Sequence, residues 1–258
     1  MSRTFFSKTT LDEGVGGRLK IHLLALTAVA VGAIAEPQHC VGADVWGGSV
    51  ELTSDYLVRG ISRSDGRAAV QADYHYLSAS GFVAGAFAST AKIDPNDRTD
   101  VELTAFLGFA WSAADEWHGK VLLSHYAYPW NQHGTHYDYD ELDVGAAYQD
   151  WLDVSMAYSP DFPRYVPYRG LIGTTSTSAE LNLQHPVYRK LFLTGGAGYS
   201  YEDGPNAAGY VYWSVGAAWE FAPVALALSY VDTSAAAKSL FYDEAASRRW
   251  VGTVIWRF

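Results

Sequence analysis

Apolar residues alternate with polar or small ones along most of the chain after residue 43, in runs that end at turn residues. The run from 100 to 111 is the clearest, because Val101, Leu103 and Leu107 share one face and Glu102 and Thr104 share the other. Successive side chains of a β-strand point to opposite faces, so each run predicts a strand with one apolar face. The twelve predicted strands are Val45–Arg59, Arg67–Ser78, Gly81–Thr90, Asp100–Trp111, Lys120–Tyr128, Asp140–Tyr148, Leu152–Tyr158, Thr175–Gln184, Lys190–Tyr201, Gly209–Phe221, Val224–Val231 and Arg248–Phe258.

Short and long connections alternate between these strands. The predicted short turns are 78–80, 112–117, 149–151, 185–188 and 222–223, and the predicted long connections are 91–99, 129–139, 159–173, 202–208 and 232–246. Transmembrane barrels of bacteria have an even number of antiparallel strands, with short turns at one end and longer loops at the other. The sequence therefore predicts an all-β fold: a single transmembrane, antiparallel, up-and-down β-barrel of about 12 strands, over residues 44–258.

The barrel interpretation accounts for charges inside the first predicted strand, in "SDYLVRGISRSDG" (54–66). Lipid offers no hydrogen bonds, so a sheet that crosses it must close on itself and turn apolar residues outward. We expect Val50, Leu52, Tyr56 and Val58 to face lipid, and Asp55 and Arg59 to face the lumen. Arg59-Gly60 would then end the first strand, and 64–66 would form the first outer turn. The phase of two further strands is open: either Val83 and Phe87 or Phe82 and Ala86 face lipid, and His125 faces lipid in one phase.

The first 43 residues have the pattern of a cleaved signal peptide. Arg18 and Lys20 precede the apolar run from Ile21 to Ala35, and small residues follow. Cleavage after Ala35 or Ala43 fits the small-x-small pattern. The chain has 1 cysteine, Cys40, so a mature chain that starts after Ala43 contains no disulfide bond.

Composition narrows the function. The net charge of -10 argues against a nucleic-acid partner, which requires a clustered basic surface. The aromatic content of 15% fits girdles of Trp and Tyr at both edges of a membrane. The acidic surplus predicts a mild preference for cations in the lumen.

Charged residues at inward positions are the candidates for a constriction. Positions 55 and 59 of a strand lie about 13 Å apart. Asp55 and Arg59 must therefore pair with residues of other strands, for example the second. Two interpretations stay open: these charges fill and brace the barrel, or they contact a solute. The candidate lumen or constriction residues are Glu51, Asp55, Arg59, Arg67, Asp73 and Glu102.

The sequence also contains residue types that occur in metal sites and in enzymes. The stretch "HGTHYDYDE" contains His133, His136, Asp138, Asp140 and Glu141, but its spacing matches no closed structural zinc site. The chain contains no G-x-S-x-G nucleophile motif. We therefore expect no metal, no cofactor and no catalytic residue.

The last strand has a period-two pattern that ends in Trp256 and the terminal Phe258. A terminal aromatic residue on an alternating strand resembles the signal that the outer-membrane barrel assembly machinery recognises. Arg248 and Arg249, at the outer end of this strand, are candidates for contact with anionic lipopolysaccharide, or are simply a charged rim.

One stretch carries a family resemblance. It has the pattern S-D-Y-x-x-R-G-I-S-x-S-x-G, then A-x-Q, then S-G-F-x-x-G; the matching residues are Ser54, Asp55, Tyr56, Arg59, Gly60, Ile61, Ser62, Ser64, Gly66, Ala69, Gln71, Ser80, Gly81, Phe82 and Gly85. This pattern resembles the start of the TorF-like porins of proteobacteria. The shorter stretches "YAYPW", "YDYDELDVGAAY", "YSPDF" and "LALSYVDT" are also similar, although Trp130 stands where a glycine is expected.

The resemblance implies a porin in the outer membrane of a Gram-negative bacterium. We expect a channel for passive diffusion of small hydrophilic solutes or ions through a narrow charged lumen. The alternative is a structural or surface-interaction barrel with a plugged lumen and partner-binding outer loops. The expected partners are outer-membrane lipid and lipopolysaccharide, the assembly machinery and small hydrophilic solutes.

Overall fold

The structure, a computed structural model, describes residues 44–92, 100–113, 116–130, 137–149, 151–166, 170–204, 207–241 and 244–258. The predicted signal peptide at 1–43 lies outside this part of the chain. The strands are β1 Val45–Thr53, β2 Leu57–Val58, β3 Ile61–Ser62, β4 Ala69–Leu77, β5 Phe82–Ala91, β6 Asp100–Ala113, β7 Trp117–Ala127, β8 Tyr139–Tyr148, β9 Leu152–Val166, β10 Gly170–Tyr188, β11 Leu191–Glu202, β12 Ala208–Phe221, β13 Val224–Thr233 and β14 Arg249–Arg257. One short helix, α1, spans Ala235–Leu240.

All strands except β2 and β3 form one closed barrel. Each barrel strand after β4 pairs antiparallel with the next, and β1 pairs with both β4 and β14. The register at the closure places Val50 opposite Trp256 and Leu52 opposite Val254. Each of the twelve predicted runs coincides with one barrel strand, so the predicted antiparallel transmembrane barrel is confirmed.

The wall has an apolar outer face and a more polar inner face, as the alternation predicted. On β6, Leu103, Leu107 and Phe109 are exposed on the outside, whereas Glu102 and Thr104 are buried on the inside. The same alternation settles the open phases: Phe82 and Ala86 face outward, Val83 and Phe87 face inward, and His125 faces outward. His125 Nδ1 lies 2.8 Å from Asp140 Oδ1, and both side chains are more than half exposed.

Aromatic residues border the outer wall at both ends of the barrel. The end with short turns, here called the short-turn end, carries Trp46, Tyr188, Trp219, Phe221, Trp256 and Phe258. The opposite end, the long-loop end, carries Tyr158, Tyr201, Trp213, Tyr230 and Trp250. Such paired girdles mark the two interfaces of a lipid bilayer. Within the described ranges, no helix has both the length and the apolar character needed to cross a membrane.

Three connections differ from the prediction. The predicted loop 159–173 is mostly strand, because β9 continues to Val166 and β10 begins at Gly170. A register shift between Thr174 and Ser176 absorbs the irregularity in this long hairpin. At the other end, β10 continues through the predicted turn 185–188, because His185 and Tyr188 still pair with β11. Helix α1, in the predicted long connection 232–246, was not predicted.

Trp130 has a strained backbone at the long-loop end. Its φ is 69°, in the left-handed region, and 76% of its surface is exposed. A Cβ in this region costs about 1–2 kcal/mol, which glycine avoids. This geometry explains why a glycine was expected after Pro129.

We predict that Trp130→Gly raises the free energy of unfolding by about 1 kcal/mol, because it removes the left-handed strain. Urea unfolding of the detergent-folded barrel, followed by the band shift of folded protein on a cold SDS gel, measures the change. Trp250→Gly is the matched control, since Trp250 is also exposed but lies in β14; this variant should lose stability. A loss in Trp130→Gly as well would mean that contacts of the indole outweigh the strain.

Candidate functional site: a hairpin inside the barrel

The chain between β1 and β4 folds into the barrel lumen as a small hairpin. Strands β2 and β3 pair through Leu57 with Ser62 and Val58 with Ile61. The two residues that join them, Arg59 and Gly60, have φ of 52° and 76°. Two successive positive φ values define the type I′ turn that suits a two-residue hairpin. We call residues 54–67 the inner hairpin.

This fold corrects part of the prediction for the first strand. Strand β1 ends at Thr53 rather than Arg59. Tyr56, which was expected to face lipid, is only 3% exposed and lies inside, and Val58 belongs to the inner hairpin. The alternation Leu52, Tyr56, Val58 continues through the bend, which is why the pattern missed it. The predicted turn at 64–66 is present, with positive φ at Asp65 and Gly66.

Asp55 fixes the base of the inner hairpin. Its Oδ1 accepts hydrogen bonds from the hydroxyls of Ser62 and Ser64, each at 2.7 Å. Its Oδ2 accepts a hydrogen bond from the guanidinium of Arg249 on β14. Arg249 also donates to the backbone carbonyl of Ala245. The partner of Asp55 therefore comes from the last strand, not from the second predicted strand.

Arg59 anchors the tip of the inner hairpin against the far wall. Its Nη2 lies 2.6 Å from Glu141 Oε2 on β8, and 8% and 5% of the two side chains are exposed. Gly60 fits between β12 and β13, where a Cβ would lie 2.8 Å from both Tyr212 Cβ and Thr233 Cγ2. The inner hairpin starts beside β14 and β4 and ends between β8 and β12, so it crosses the lumen.

Glu102 holds the middle of the inner hairpin. Its two carboxylate oxygens accept hydrogen bonds from the hydroxyls of Tyr56 and Tyr128, each at 2.7 Å. Burial raises the pKa of the Tyr56 phenol well above its ordinary value, and the nearby Glu102 carboxylate raises it further. The phenol therefore stays protonated and donates to Glu102, which is only 1% exposed.

Aromatic rings surround this network in the long-loop half of the lumen. Tyr126 and Tyr139 stack with their centroids 4.4 Å apart, and Phe162 meets Tyr139 edge-on at 5.1 Å. The guanidinium carbon of Arg63 lies 5.8 Å from the centroid of the Phe162 ring. The Arg63 carbonyl accepts the backbone N–H of Lys92 at 2.5 Å. Packed rings and the inner hairpin together narrow this half of the lumen.

Polar residues line the wall below the inner hairpin, toward the short-turn end. Ser49 Oγ donates to Asp73 Oδ1 at 2.5 Å, and His75 Nδ1 lies 2.9 Å from Asp73 Oδ2. Ser49 also contacts Glu51 Oε1 at 3.3 Å. In a serine-hydrolase triad the imidazole stands between serine and carboxylate. Here the carboxylate stands between them, so the Ser49 hydroxyl donates to Asp73 and not to the imidazole of His75.

The structure brings together five of the six predicted site residues around the lumen. Asp55, Arg59 and Glu102 belong to the inner hairpin network, and Glu51 and Asp73 face the lumen below it. Arg67 lies elsewhere than expected. Its side chain is 63% exposed and pairs with Asp65 at 3.5 Å, because the chain leaves the lumen at the turn before it.

The sequence did not assign several residues of the site to the lumen. They are Arg63, Glu141, Glu180, Tyr212 and Arg249. The sequence pattern could have placed Glu141 in the lumen, since it lies on the opposite face of its strand from Leu142 and Val144. In the sequence, Glu141 is also a neighbour of Asp140 in the candidate metal-binding stretch. In the structure these two residues face opposite sides of the wall.

Of the remaining metal candidates, Asp138 lies in the described part of the chain. Asp138 accepts the backbone N–H of Tyr128 at 2.8 Å, whereas His133 and His136 lie outside the described residues. Across the described part of the chain, no three His, Cys, Asp or Glu side chains are placed to hold a metal ion.

The comparisons with known proteins agree with this fold. Residues 38–256 match a family model described as "Bacterial protein of unknown function (Gcw_chp)". The chain belongs to the Gcw_chp family. This Gcw_chp protein matches no curated protein sequence.

Solved outer-membrane barrels are similar to this Gcw_chp protein in fold. The NanC porin has a TM-score of 0.53 at 6% identity, over 82% of this chain and 98% of its own. The KdgM porin has a TM-score of 0.48 at 11% identity, over 83% and 99%. The COG4313 outer membrane channel from Pseudomonas putida F1 has a TM-score of 0.49 at 12% identity, over 86% and 97%. At these identities the similarity shows the fold alone.

We predict that Gly60→Ala lowers the free energy of unfolding by about 2 kcal/mol or more, because it adds a collision with β12 and β13 to left-handed strain. Gly66→Ala is the matched control. Its φ of 68° is also positive, but the nearest atom to a Cβ there, Arg249 Nη1, is 3.8 Å away. The control should lose only about 1 kcal/mol in the same urea titration. Equal losses in both variants would contradict a tip held tightly between β12 and β13.

Proposed function

We propose that this protein is an outer-membrane channel for passive diffusion of small hydrophilic solutes or ions, narrowed by the inner hairpin. The observation that carries the proposal is the Arg59–Glu141 ion pair, which spans from the hairpin tip to β8. This constriction is charged. It is formed by the inner hairpin, whose sequence can change without a change in the barrel wall. Pore size and the charges that line a pore set its selectivity.

The inner wall supports a polar path. Many of its buried positions carry hydroxyl groups; examples are Ser178, Thr194, Ser200, Ser214, Ser229 and Thr253. Carboxylates that face the lumen or the inner hairpin are Glu51, Asp55, Asp73, Glu102, Glu141, Asp143, Asp153, Glu180, Glu202 and Glu220. The basic groups there are Arg59, Arg63, Lys92, Lys120, Arg164, Arg249 and Arg257. Because the carboxylates outnumber the basic groups, we expect a mild cation preference.

The location follows from the fold and the sequence together. The apolar wall and its girdles suit a bilayer, and the NanC porin shares the fold at a TM-score of 0.53. The predicted signal peptide at 1–43 would bring the chain to the outer membrane of a Gram-negative bacterium. There Phe258 and Trp256 would serve the assembly machinery, and exposed Arg248 would face lipopolysaccharide. The TorF-like assignment is a finer proposal within the Gcw_chp family and rests on the 54–90 motif.

The function needs no chemical step. Transport would follow the solute gradient, and the proposal assigns no catalytic residue and no cofactor. Phenols, amides and guanidinium groups donate hydrogen bonds to the lumen carboxylates and so fix the positions of these negative charges. Such fixed charge suits selection between solutes.

One observation favours the alternative, a plugged barrel with partner-binding loops. The long-loop half of the lumen is packed with rings, and the inner hairpin is attached on β6, β8 and β14. If this packing also excludes ions, the protein acts through its surface. Conductance separates the two functions.

In planar bilayers we expect purified folded protein to form small, cation-preferring channels, and Arg59→Ala to change conductance or ion selectivity without preventing insertion. Removing the Arg59 guanidinium frees the Glu141 carboxylate in the constriction, which should strengthen cation preference. Arg67→Ala is the control, because Arg67 is a cation of the same loop that lies outside the constriction.

Two outcomes would contradict the channel. The first is unchanged conductance in folded Arg59→Ala. The second is an absence of channels both in the wild type and in a variant with 57–62 replaced by two glycines, which would support the plugged barrel. Anion preference in the wild type would contradict the predicted cation preference, but not the channel function.

A further inference from the structure

The Arg59 guanidinium behaves as a ligand that the barrel wall binds. The group belongs to the inner hairpin, whereas its surroundings belong to the wall. Glu141 on β8 contacts it at 2.6 Å, Tyr139 shares the inward face of β8 with Glu141, and Tyr212 packs beside the adjacent Gly60. The ion pair is almost completely buried, and a charge-assisted hydrogen bond of this length is among the strong ones in proteins.

A second carboxylate reaches the tip of the inner hairpin from β10. Glu180 is 6% exposed and contacts Tyr212, whose Cβ packs beside Gly60. Its Oε2 accepts the hydroxyl of Tyr212 at 2.8 Å, and its Oε1 accepts the side-chain amide of Asn182 at 2.7 Å. These two bonds orient the carboxylate. The wall thus offers Glu141, which contacts the guanidinium directly, and Glu180, which reaches the hairpin tip through Tyr212.

The acidic surface continues from this site toward the short-turn end. Asp143 follows Glu141 on the same face of β8, and Asp153 follows on β9, opposite Asn182 of β10. The side chain of Lys120 on β7 lies in the same region, because its Cε is 2.8 Å from the place where a Cβ of Gly145 would stand. The neighbouring inward positions are small, namely Gly145 and Ser155. A cation that left the Arg59 position would meet Asp143 and Asp153 on this wall, together with the Lys120 ammonium group.

We propose that Glu141 and Glu180 form a binding site for organic cations with a guanidinium or primary ammonium group. Arg59 fills this site in the structure described here, and solute enters it when the tip of the inner hairpin moves away. The site requires a cation with N–H donors, because its contact with Glu141 is a hydrogen bond. The inference deepens the proposed channel function by naming its solute class.

The group that already occupies the site, the Arg59 guanidinium, indicates an organic cation. A guanidinium fits there with a short hydrogen bond, so the site accepts a planar group with several N–H donors. When a carboxylate this buried loses its partner, it is left as an uncompensated charge. The emptied site should therefore attract a replacement of the same chemistry.

The test is chemical rescue of Arg59→Ala by methylguanidinium at millimolar concentration, read as the shift of the thermal unfolding midpoint in detergent. We expect methylguanidinium to raise the midpoint of Arg59→Ala and to bind it about ten-fold or more tightly than the wild type, in which the site is filled. Arg59→Ala/Glu141→Gln should not respond. Tetramethylammonium, a cation without N–H donors, should give no rescue.

An equal response of all variants, or no response of Arg59→Ala, would overturn the site. If Arg59→Ala refolds poorly, the yield of refolded protein replaces the midpoint as the readout, with the same expected order of variants. The assay does not depend on conductance. If the protein conducts ions but methylguanidinium does not rescue Arg59→Ala, the cation site is refuted and the channel function stands. If methylguanidinium rescues Arg59→Ala but the protein does not conduct ions, the channel function is refuted and the cation site stands.

Discussion

Closure of the sheet between its first and last strands is the constraint on which the rest of this protein depends. A sheet in lipid cannot leave an edge, because unpaired backbone groups have no water to bind. Here β1 and the residue after β14 complete the wall: Gly48 and Phe258 exchange backbone hydrogen bonds of 3.1 Å in both directions. Closure also fixes how wide the barrel must be. Twelve strands enclose more space than a small barrel fills with its own wall side chains.

The inner hairpin occupies part of that space. It replaces wall side chains with a piece of backbone that brings its own turn, its own apolar residues and two charged ends. Its polar contacts position it rather than supply large net stability, since a buried ion pair loses about as much in desolvation as it gains in attraction. The apolar contacts of Leu57 and Ile61, each almost fully buried, provide the hydrophobic part of the attachment.

The sequence allowed the wall to be predicted closely, because burial on one face imposes period two on every strand. The hairpin could not be predicted in the same way. Its residues continue the alternation of β1, so the bend after Thr53 leaves no break in the pattern. The Arg59-Gly60 pair is a local sign of a two-residue turn, but its partners are distant. Glu141 lies 82 positions from Arg59, and Arg249 lies 194 positions from Asp55. Only the closed barrel brings such pairs together.

The partner of Asp55 also constrains the order of events during folding. Arg249 belongs to β14, the strand that closes the barrel against β1. The base of the inner hairpin therefore has no complete site until the last strand has arrived. Until then Asp55 is held only from within the inner hairpin, by the hydroxyls of Ser62 and Ser64. The last strand then has two tasks: it seals the wall against lipid, and it provides the cation that sets the inner hairpin in place.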